Sequence, residues 1–496
     1  MKKSDIGFAA ALALAAAVLY LPTLSYDFMA WDDHAYVAGN PLIRLQGAGS
    51  VAALFSTYYR ANYAPLHLLA YAGVYGAAGA SPWAFHALNV LLHALCTVLV
   101  FIFLRRVSLP VSAAALGAAI FLAHPAQVEA VAWVSQAKTL LATAFGLGAL
   151  LALLGFRERR AAGGGGAWYA AAVILFLGAV LSKAQAIAFP GIYLCVDRAL
   201  GDRTRRLPPG HWIPFALIAA AGAWAGILAQ SSIEAVKPYG PLGPLGSVLG
   251  SAGIVLAYLR TILLPVNLSV LHAGEPLARL WDPRLARDLL LFGALVIAAW
   301  RLRAGALRPW HALGAFLAPL VPVLGWVPLN VAMADRYLYP AMIGVAWFAG
   351  GAAARRGGWG RRALWLLPVC LALLTTARMP VWRDGASLWD AEIRSHPDSL
   401  RAWTSRSGYR YRKGNLAGAE ADLRQALALD GESEDAWTNL GVVLNAGGKT
   451  DEAMAAWRRA LAINPEADGN GWYGADFSWG DWRLDITDSS FDNNSW

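Results

Sequence analysis

The sequence has little charge and almost no cysteine. Of its 496 residues only 15% are Asp, Glu, Lys or Arg, whereas 57% are hydrophobic and the mean hydropathy is +0.44. These values exclude an ordinary soluble globular enzyme. The three cysteines, Cys96, Cys195 and Cys370, lie inside apolar segments, which argues against a disulfide framework and against a cysteine-based zinc site. The alternating pattern typical of a membrane β-barrel is also missing.

Long apolar runs recur from residue 6 to about residue 379 and then stop. This distribution predicts a polytopic transmembrane helical bundle of about eleven spans, followed by a part outside the membrane. Basic pairs such as Arg105-Arg106 mark cytoplasmic helix ends and place the N-terminus in the cytoplasm. All the basic loops lie on the cytoplasmic side only if one apolar segment does not cross the membrane fully. We predict that this segment is 247–265, which contains Arg260, and that it is a membrane-surface or re-entrant segment. An odd number of crossings then places the C-terminal part on the same side as the first loop.

After residue 380 an internal repeat of 34 residues appears. Trp403 and Trp437 are 34 residues apart, and so are Ala419 and Ala453. This period, together with the motif Trp437-Thr438-Asn439-Leu440-Gly441, is the signature of the tetratricopeptide repeat. The first repeat departs from the pattern at Arg406, which occupies the position of Leu440 in the second. An α-solenoid of about two and a half repeats is therefore predicted, and its concave surface suits an acceptor polypeptide or an assembly partner.

We divide the chain into a transmembrane domain over 1–380, tetratricopeptide repeats over 381–467 and an aromatic, polar tail over 468–496. The tail follows no repeat pattern and carries four tryptophans. It could be a loosely docked terminus, or an aromatic strip that covers the repeat groove, sits at the membrane interface or recruits a partner. The net charge of +9 is spread over short loops, so it reports topology, and no nucleic-acid partner is predicted.

Two adjacent carboxylates, Asp32 and Asp33, follow the first apolar segment. A carboxylate close to the bilayer surface can accept a proton from a hydroxyl, hold a divalent cation or orient a sugar substrate. The alternative is a solvated loop with Asp33 near a helix start. The second loop on that side carries His124 and Glu129, which could complete a polar pocket with Asp32. A divalent metal held by these three side chains is possible, but nothing in their spacing demands it, and we predict no metal site.

Several motifs, in the same order along the chain, resemble those of the membrane-and-tetratricopeptide O-mannosyltransferase-like proteins. These proteins belong to the GT-C class of multispan glycosyltransferases. The resemblance covers most of 26–466 and rests on these blocks: Trp31-Asp32-Asp33-His34-Ala35-Tyr36-Val37, Asn40-Pro41-Leu42-Ile43, Tyr63-Ala64-Pro65-Leu66, His86-Ala87-Leu88-Asn89, His124-Pro125, Val128-Glu129-Ala130-Val131-Ala132-Trp133, Asp335-Arg336-Tyr337-Leu338-Tyr339-Pro340 and Trp382-Arg383-Asp384.

The resemblance implies a GT-C-like fold and transfer of a sugar from a polyprenyl-phosphate carrier, with inversion at the anomeric carbon. It places the catalytic base on Asp32, with Asp33 as helper, metal ligand or helix cap. The departing lipid phosphate needs cations, and Arg336 is the first candidate because a guanidinium fork fits phosphate oxygens. Lys138 and Lys183 are further candidates. The substrate-binding residues are completed by Glu129, His124 and Tyr63.

Two blocks depart from the family pattern. After Ser135 the family usually has a basic pair followed by an acid, whereas this chain reads Gln136-Ala137-Lys138-Thr139. Around Lys183 the sequence is Ser182-Lys183-Ala184-Gln185, where a methionine-bearing version is more typical. After Ser135, therefore, this chain has one cation, Lys138, where the family usually has a basic pair.

The sequence therefore predicts an integral membrane glycosyltransferase that modifies Ser or Thr hydroxyls of exported proteins with a hexose such as mannose. Its predicted partners are membrane lipid, the lipid-linked sugar and, through the repeats, an acceptor polypeptide or an assembly partner. The polyprenyl-phosphate sugar is the donor, and a divalent metal is possible. The expected location is a bacterial inner membrane, with the repeats in the periplasm. Two alternatives stay open: a non-catalytic, membrane-anchored repeat scaffold for an envelope complex, and a transporter of lipid-linked glycans.

Overall fold

Helices account for almost all of the regular structure in the computed structural model of the chain. It describes residues 3–29, 31–160, 163–231, 238–266, 268–270, 272, 279–302, 309–328, 331 and 333–464. Within these ranges one isolated bridge between Tyr59 and Asn62 is the only β-pairing. The all-α prediction is confirmed. The predicted tail, 468–496, lies outside the described residues.

The chain divides into two compact units, which we describe separately. The first unit comprises residues 1–26 and 41–382, and the second comprises 27–40 and 383–496. The loop with the two carboxylates, which we predicted within the transmembrane domain, thus groups with the C-terminal residues.

Sixteen helices of the first unit alternate with short 3₁₀ segments. They are α1 (Lys3–Tyr20), α2 (Ala48–Ser56), α3 (Pro65–Ala78), α4 (Pro82–Arg106), α5 (Val111–Ala123), α6 (Val128–Ala132), α7 (Ala137–Arg160), α8 (Gly166–Ser182), α9 (Phe189–Leu200), α10 (Ile213–Ser231), α11 (Gly243–Leu263), α12 (Pro283–Arg301), α13 (Pro309–Leu317), α14 (Leu338–Ala354), α15 (Gly358–Ala363) and α16 (Leu366–Arg378).

Seven helical stretches among the described residues are long and apolar enough to cross a membrane, or eight if the pair Val111–Ala123 and Pro125–Ala132, bent by 55°, forms one span. Eleven crossings were predicted. Two further apolar stretches, Gly166–Ser182 and Pro309–Val323, are shorter than a bilayer requires. Length and composition therefore support a multi-pass membrane protein with fewer full-length spans than the sequence suggested.

Helix α11 covers most of the segment 247–265. It is 21 residues long, and its only charged residue, Arg260, lies in its last turn. It is long and apolar enough to cross, so length and composition do not support reading 247–265 as a re-entrant segment. Helix α12 is more polar because Arg284, Arg287 and Asp288 all fall in its first two turns.

Small residues allow the helices of the first unit to approach closely. A Cβ added to Gly344 of α14 would overlap the backbone of Ala312 and Phe316, both in α13. A Cβ added to Gly117 of α5 would overlap the carbonyl group of Ala346 in α14. Close backbone approach of this kind is typical of helix pairs in membranes, where van der Waals packing drives association. Helix α14 is therefore held between α5 and α13, which fixes the position of the residues just before it.

Five helices form the described C-terminal part of the second unit: α17 (Gly385–Ser395), α18 (Leu400–Arg412), α19 (Leu416–Leu429), α20 (Glu434–Ala446) and α21 (Thr450–Ile463). Contacts repeat at the 34-residue period. The indole of Trp403 donates to the carbonyl of Pro397 at 2.8 Å, and the indole of Trp437 donates to that of Gly431 at 2.9 Å. The predicted repeats are therefore present as structure as well as sequence.

Arg406, the residue that breaks the repeat pattern, has acquired its own partners. Its guanidinium donates to both carboxylate oxygens of Asp422, at 3.0 and 2.6 Å, and to Asp390 at 2.6 Å. Asp422 is 2% exposed and occupies the position of Ala456 in the next repeat. A Leu–Ala contact in the second repeat is thus replaced by a buried, bidentate ion pair in the first.

We expect Asp422→Ala to destabilise the repeats by about 3–5 kcal/mol, because it leaves the half-buried Arg406 without its main counter-charge. Copying the second repeat with Arg406→Leu and Asp422→Ala together should restore most of that loss. Hydrogen exchange of α18 and α19 in the full chain measures both effects. Glu452→Ala, which removes an exposed carboxylate, is the matched control and should change little. A double variant no more protected than the single one would contradict this account.

Candidate active site

The predicted site residues fall into both units. Glu129, Lys138, Lys183, Arg336, His124 and Tyr63 belong to the first unit, and Asp32 and Asp33 to the second. We describe each set by itself.

A buried ion pair is the centre of the first set. The Nη1 of Arg336 donates to Oε1 of Glu129 at 2.5 Å, and the backbone N–H of Arg336 donates to Oε2 at 2.9 Å. Glu129 is 2% exposed and Arg336 is 8% exposed. Glu129 lies in the first turn of α6, just past the bend after α5, and Arg336 lies in the 3₁₀ turn that leads into α14. Both positions are therefore set by the packing of α14.

Two lysines complete a group that we call the cationic cluster: Lys138, Lys183, Arg336, Glu129 and His67. The ammonium of Lys183 donates to the hydroxyl of Thr139 at 2.8 Å, and that hydroxyl donates to Gln136 at 2.8 Å. Lys183 follows the last residue of α8, where the chain becomes extended, and Lys138 is in the first turn of α7. The two quoted blocks that depart from the family pattern thus meet at one place.

Electrostatics show how close the members of this cluster lie. Burial, and then the positive charges of Arg336 and Lys138, lower the pKa of Lys183 well below its ordinary value. Burial, and then the charges of Lys138 and Lys183, also lower the pKa of His67 well below 6.5. His67 is therefore neutral near pH 7. Nothing in the apolar sequence around His67 distinguishes it from a packing residue.

The cationic cluster holds more positive than negative charge. Lys183 lies within electrostatic reach of Glu129, whose carboxylate is already engaged by Arg336 through both oxygens. The nearby Asp335 is occupied by His272, at 2.9 Å. Buried charges are costly unless they are paired. The arrangement is therefore suited to a buried anion, and charge-assisted donors of this kind bind phosphate well.

Aromatic rings line the cationic cluster. The Arg336 guanidinium lies 5.4 Å from the ring centroid of Trp133 and 5.1 Å from that of Tyr337, and the Lys183 ammonium lies 5.5 Å from the same Tyr337 ring. These distances are within cation–π range. The rings thus contact the cations directly.

His124 and Tyr63 have other partners. His124 Nδ1 accepts from the backbone N–H of Ala126 at 3.2 Å, and its Nε2 is 3.0 Å from the carbonyl of Ile262. Both ring nitrogens are thus used to hold the turn after α5 and to tie it to α11. The hydroxyl of Tyr63 donates to the carbonyl of Phe55 at 2.9 Å, beside the tight turn at Tyr59–Asn62. Within the described ranges, no three His, Cys, Asp or Glu side chains form a group suited to a metal ion.

In the second unit, the carboxylate loop is attached to the repeats. Trp31 packs on Trp389 with ring centroids 5.5 Å apart, and the guanidinium of Arg401 lies 5.4 Å from the Trp31 ring. The backbone N–H of Asp27 donates to the carbonyl of Arg383 at 3.0 Å. The carboxylate loop and the repeats are therefore in direct contact.

The two carboxylates of this loop differ in their surroundings. Asp33 is fully buried and its Oδ2 accepts from the backbone N–H of Met29 at 2.9 Å. Asp32 is half-buried, and its carboxylate makes no hydrogen bond or ion pair with the part of the chain that the structure describes. Asp33 therefore helps to shape the loop, and the carboxylate of Asp32 is the more exposed of the two.

Fold and repeats define a multi-pass helical membrane protein with C-terminal tetratricopeptide repeats. Residues 382–431 and 409–468 match the tetratricopeptide repeat family. The chain is similar to two curated proteins of Drosophila melanogaster. Protein O-mannosyl-transferase Tmtc1 is 31% identical over 207 residues, which are 39% of this chain and 23% of that protein. Protein O-mannosyl-transferase Tmtc2 is 27% identical over 333 residues, 60% of this chain and 34% of that protein.

These relatives confirm the resemblance inferred from the sequence. The matched regions span about a quarter and a third of the relatives' lengths. Among solved structures, ArnT from Cupriavidus metallidurans bound to undecaprenyl phosphate aligns with a TM-score of 0.43 and 14% identity, covering 90% of this chain and 78% of that chain. Its apo structure aligns with a TM-score of 0.40.

Glu129→Gln should destabilise the first unit by about 3–5 kcal/mol, because it leaves the buried guanidinium of Arg336 without its carboxylate partner. The midpoint of thermal unfolding in detergent measures this loss. Glu158→Gln is the matched control, since Glu158 forms an exposed ion pair with Arg106 that contributes little. Equal midpoints for the two variants would show that the ion pair does not hold the cluster together.

Proposed function

We propose that the chain is an inverting GT-C-type glycosyltransferase that takes a sugar from a polyprenyl-phosphate carrier. The observation that carries this proposal is that three basic side chains, Lys138, Lys183 and Arg336, gather at one place in the first unit. A lipid phosphate is an anion that reaches a membrane-embedded site directly from the bilayer. The similarity to protein O-mannosyl-transferases supports the same class of reaction.

In this proposal the cationic cluster stabilises the leaving group. When the bond between the anomeric carbon and the phosphate oxygen breaks, its electron pair moves to that oxygen. The phosphate gains a negative charge, so Arg336, Lys138 and Lys183 stabilise the transition state more than the ground state. Glu129 orients Arg336 and is a positioning residue.

Asp32 is the proposed general base. It accepts the proton of the acceptor hydroxyl while the hydroxyl oxygen forms the new bond to the anomeric carbon. A single displacement of this kind inverts the configuration at that carbon. The half-buried Asp32 carboxylate has no partner among the described side chains, whereas that of Asp33 is committed to Met29. This difference favours Asp32 over Asp33 as the base, and Asp33 as the residue that shapes the loop.

The proposed acceptor is a Ser or Thr hydroxyl of an exported protein, and the proposed sugar is a hexose such as mannose. We propose a bacterial inner membrane, with the carboxylate loop and the repeats in the periplasm. The alternative of a non-catalytic scaffold is favoured by the repeats alone, since tetratricopeptide surfaces bind protein segments.

Asp32→Asn should abolish transfer, with a loss of about 10²–10⁴-fold, because an amide cannot accept the proton. Intact-mass spectrometry of surface and secreted proteins from cells that carry each variant measures the loss as a missing hexose mass. Asp398→Asn, at an exposed position of the same unit, is the control and should be fully active. If the Asp32→Asn cells show unchanged glycan masses on proteins that are glycosylated, the scaffold alternative replaces the enzyme.

Lys183→Met should weaken binding of a polyprenyl phosphate by about tenfold or more, because it removes one charge-assisted donor from a buried site. Native mass spectrometry of the purified protein with the lipid phosphate and with the corresponding polyprenol measures the difference. Affinity for the uncharged alcohol should not change. Lys449→Met, at an exposed ion pair with Glu420, is the matched control. Equal affinities of wild type and Lys183→Met for the phosphate would remove the cationic cluster from donor binding.

A further inference from the structure

A second group of basic side chains gathers at the far end of α7 from the cationic cluster. Lys138 lies in the first turn of α7, whereas Arg157, Arg159 and Arg160 lie in its last turn. Lys138 and Arg157 are 19 positions apart, which is about 29 Å along the helix. The hydrocarbon core of a bilayer has about the same thickness, roughly 30 Å. The two basic groups are therefore separate sites at opposite ends of a membrane-length helix.

Contacts between two distant segments build this second group, which we call the arginine patch. Its members are Arg157, Arg159, Arg160, Arg198, Arg205 and Arg206. The guanidinium of Arg157 donates to Oδ1 of Asp197 in α9 at 2.9 Å and to the carbonyl of Asp202 at 3.0 Å. The guanidinium of Arg160 donates to the carbonyl of Arg206 at 2.5 Å. The end of α7 and the chain around the end of α9 thus form one surface.

The carboxylates beside the arginine patch are already paired. Each acidic residue in the two segments has an arginine partner at 2.8–2.9 Å, in the pairs Glu158–Arg106, Asp197–Arg157 and Asp202–Arg205. Arg159, Arg160 and Arg198 form no ion pair with the carboxylates that the structure describes. Arg206 approaches Asp197 only to 3.9 Å, and its Nε makes no hydrogen bond within the described ranges. The patch therefore carries a net positive charge, which an anion complements.

Aromatic side chains flank the arginine patch. The guanidinium of Arg159 lies 4.6 Å from the ring centroid of Trp168, which is in the first turn of α8. The same ring packs on Gly155 of α7, where an added Cβ would overlap it. The hydroxyl of Tyr169 donates to the carbonyl of His211, two residues before α10, at 2.8 Å. Trp and Tyr at helix ends mark the level of the lipid headgroups, so the patch lies at that level.

An exposed apolar surface continues from the patch along α8 and α10. The hydrogen bond between Tyr169 and His211 joins the starts of these two helices beside the patch. Large apolar side chains on both helices, Ile174, Ile213 and Leu217, are more than half exposed. A cationic patch that continues into an apolar surface is complementary to an amphipathic anion. A phospholipid with an anionic headgroup has both properties, whereas a small free anion has only one.

We propose that the arginine patch binds the headgroup of an anionic phospholipid of the bilayer. Arg159, Arg160 and Arg206 donate to the phosphate oxygens, and the acyl chains lie along α8 and α10. A guanidinium fork suits phosphate because it forms paired, charge-assisted hydrogen bonds. Binding of this lipid does not depend on sugar transfer, because the patch and the cationic cluster lie at opposite ends of α7.

The experiment is native mass spectrometry of the purified full chain with dioleoyl phosphatidylglycerol. Dioleoyl phosphatidylcholine, which has the same acyl chains and no net charge, is the reference lipid. We expect the wild type to bind phosphatidylglycerol more tightly than phosphatidylcholine. The double variant Arg159→Gln and Arg206→Gln should lower the affinity for phosphatidylglycerol by about 25-fold, which is about fivefold for each arginine. Its affinity for phosphatidylcholine should not change.

Arg355→Gln together with Arg356→Gln is the matched control, because it removes the same charge from an exposed pair just after α14. This control should bind phosphatidylglycerol like the wild type. An equal loss in the control and the patch variant would mean that only general charge attraction acts, and it would overturn the proposal. Arg159→Gln alone guards against misfolding, since Arg159 is exposed and forms no ion pair with the described carboxylates. A fivefold loss is still expected for it.

Two further ligands distinguish other occupants of the patch. Binding of polyprenyl phosphate should respond to Lys183→Met and not to the patch variants. If the patch variants weaken polyprenyl phosphate as much as phosphatidylglycerol, the patch belongs to the donor site and the proposal is wrong. If inorganic phosphate competes with phosphatidylglycerol at equal affinity, the occupant is a free anion and the proposal is again wrong. A Lys183→Met variant with unchanged affinity for polyprenyl phosphate would count against the proposed function alone.

Discussion

The buried ion pair between Arg336 and Glu129 is the interaction on which the membrane unit depends most. It joins the turn before α14 to the bend after α5 through two hydrogen bonds to one carboxylate. Since α14 is packed tightly between α5 and α13, the pair has little freedom to rearrange. Lys138 and Lys183 add two further basic side chains beside this pair.

In the second unit, the repeats hold a short loop in place. Residues 27–40 come between an apolar helix and the rest of the membrane unit, yet they pack on the repeats through Trp31 and Asp27. Asp33 uses its carboxylate to hold the loop and leaves Asp32 half-buried. The repeats are therefore part of the structure that presents this carboxylate, in addition to offering a binding surface of their own.

The repeats also show how a broken pattern can be compensated. Arg406 replaces a leucine of the consensus, and the sequence alone predicts a weaker first repeat from that change. In the structure, Asp422 and Asp390 surround its guanidinium. Asp390 and Asp422 each lie 16 positions from Arg406, on the helices before and after α18. Because consecutive helices of the repeats pack as hairpins, residues at this spacing can meet. The repeat position of each charged residue could therefore have revealed the compensation.

The sequence by itself determined the helical class, the membrane character and the 34-residue repeats, because hydropathy and periodicity are local properties of the chain. It also pointed to Lys138, Lys183, Arg336 and Glu129 one at a time. Only the tertiary structure brought them together with His67, committed His124 to backbone groups and grouped the carboxylate loop with the repeats. Those outcomes depend on contacts between residues far apart in the chain. The burial of these side chains and the grouping of their charges arise only once such contacts have formed.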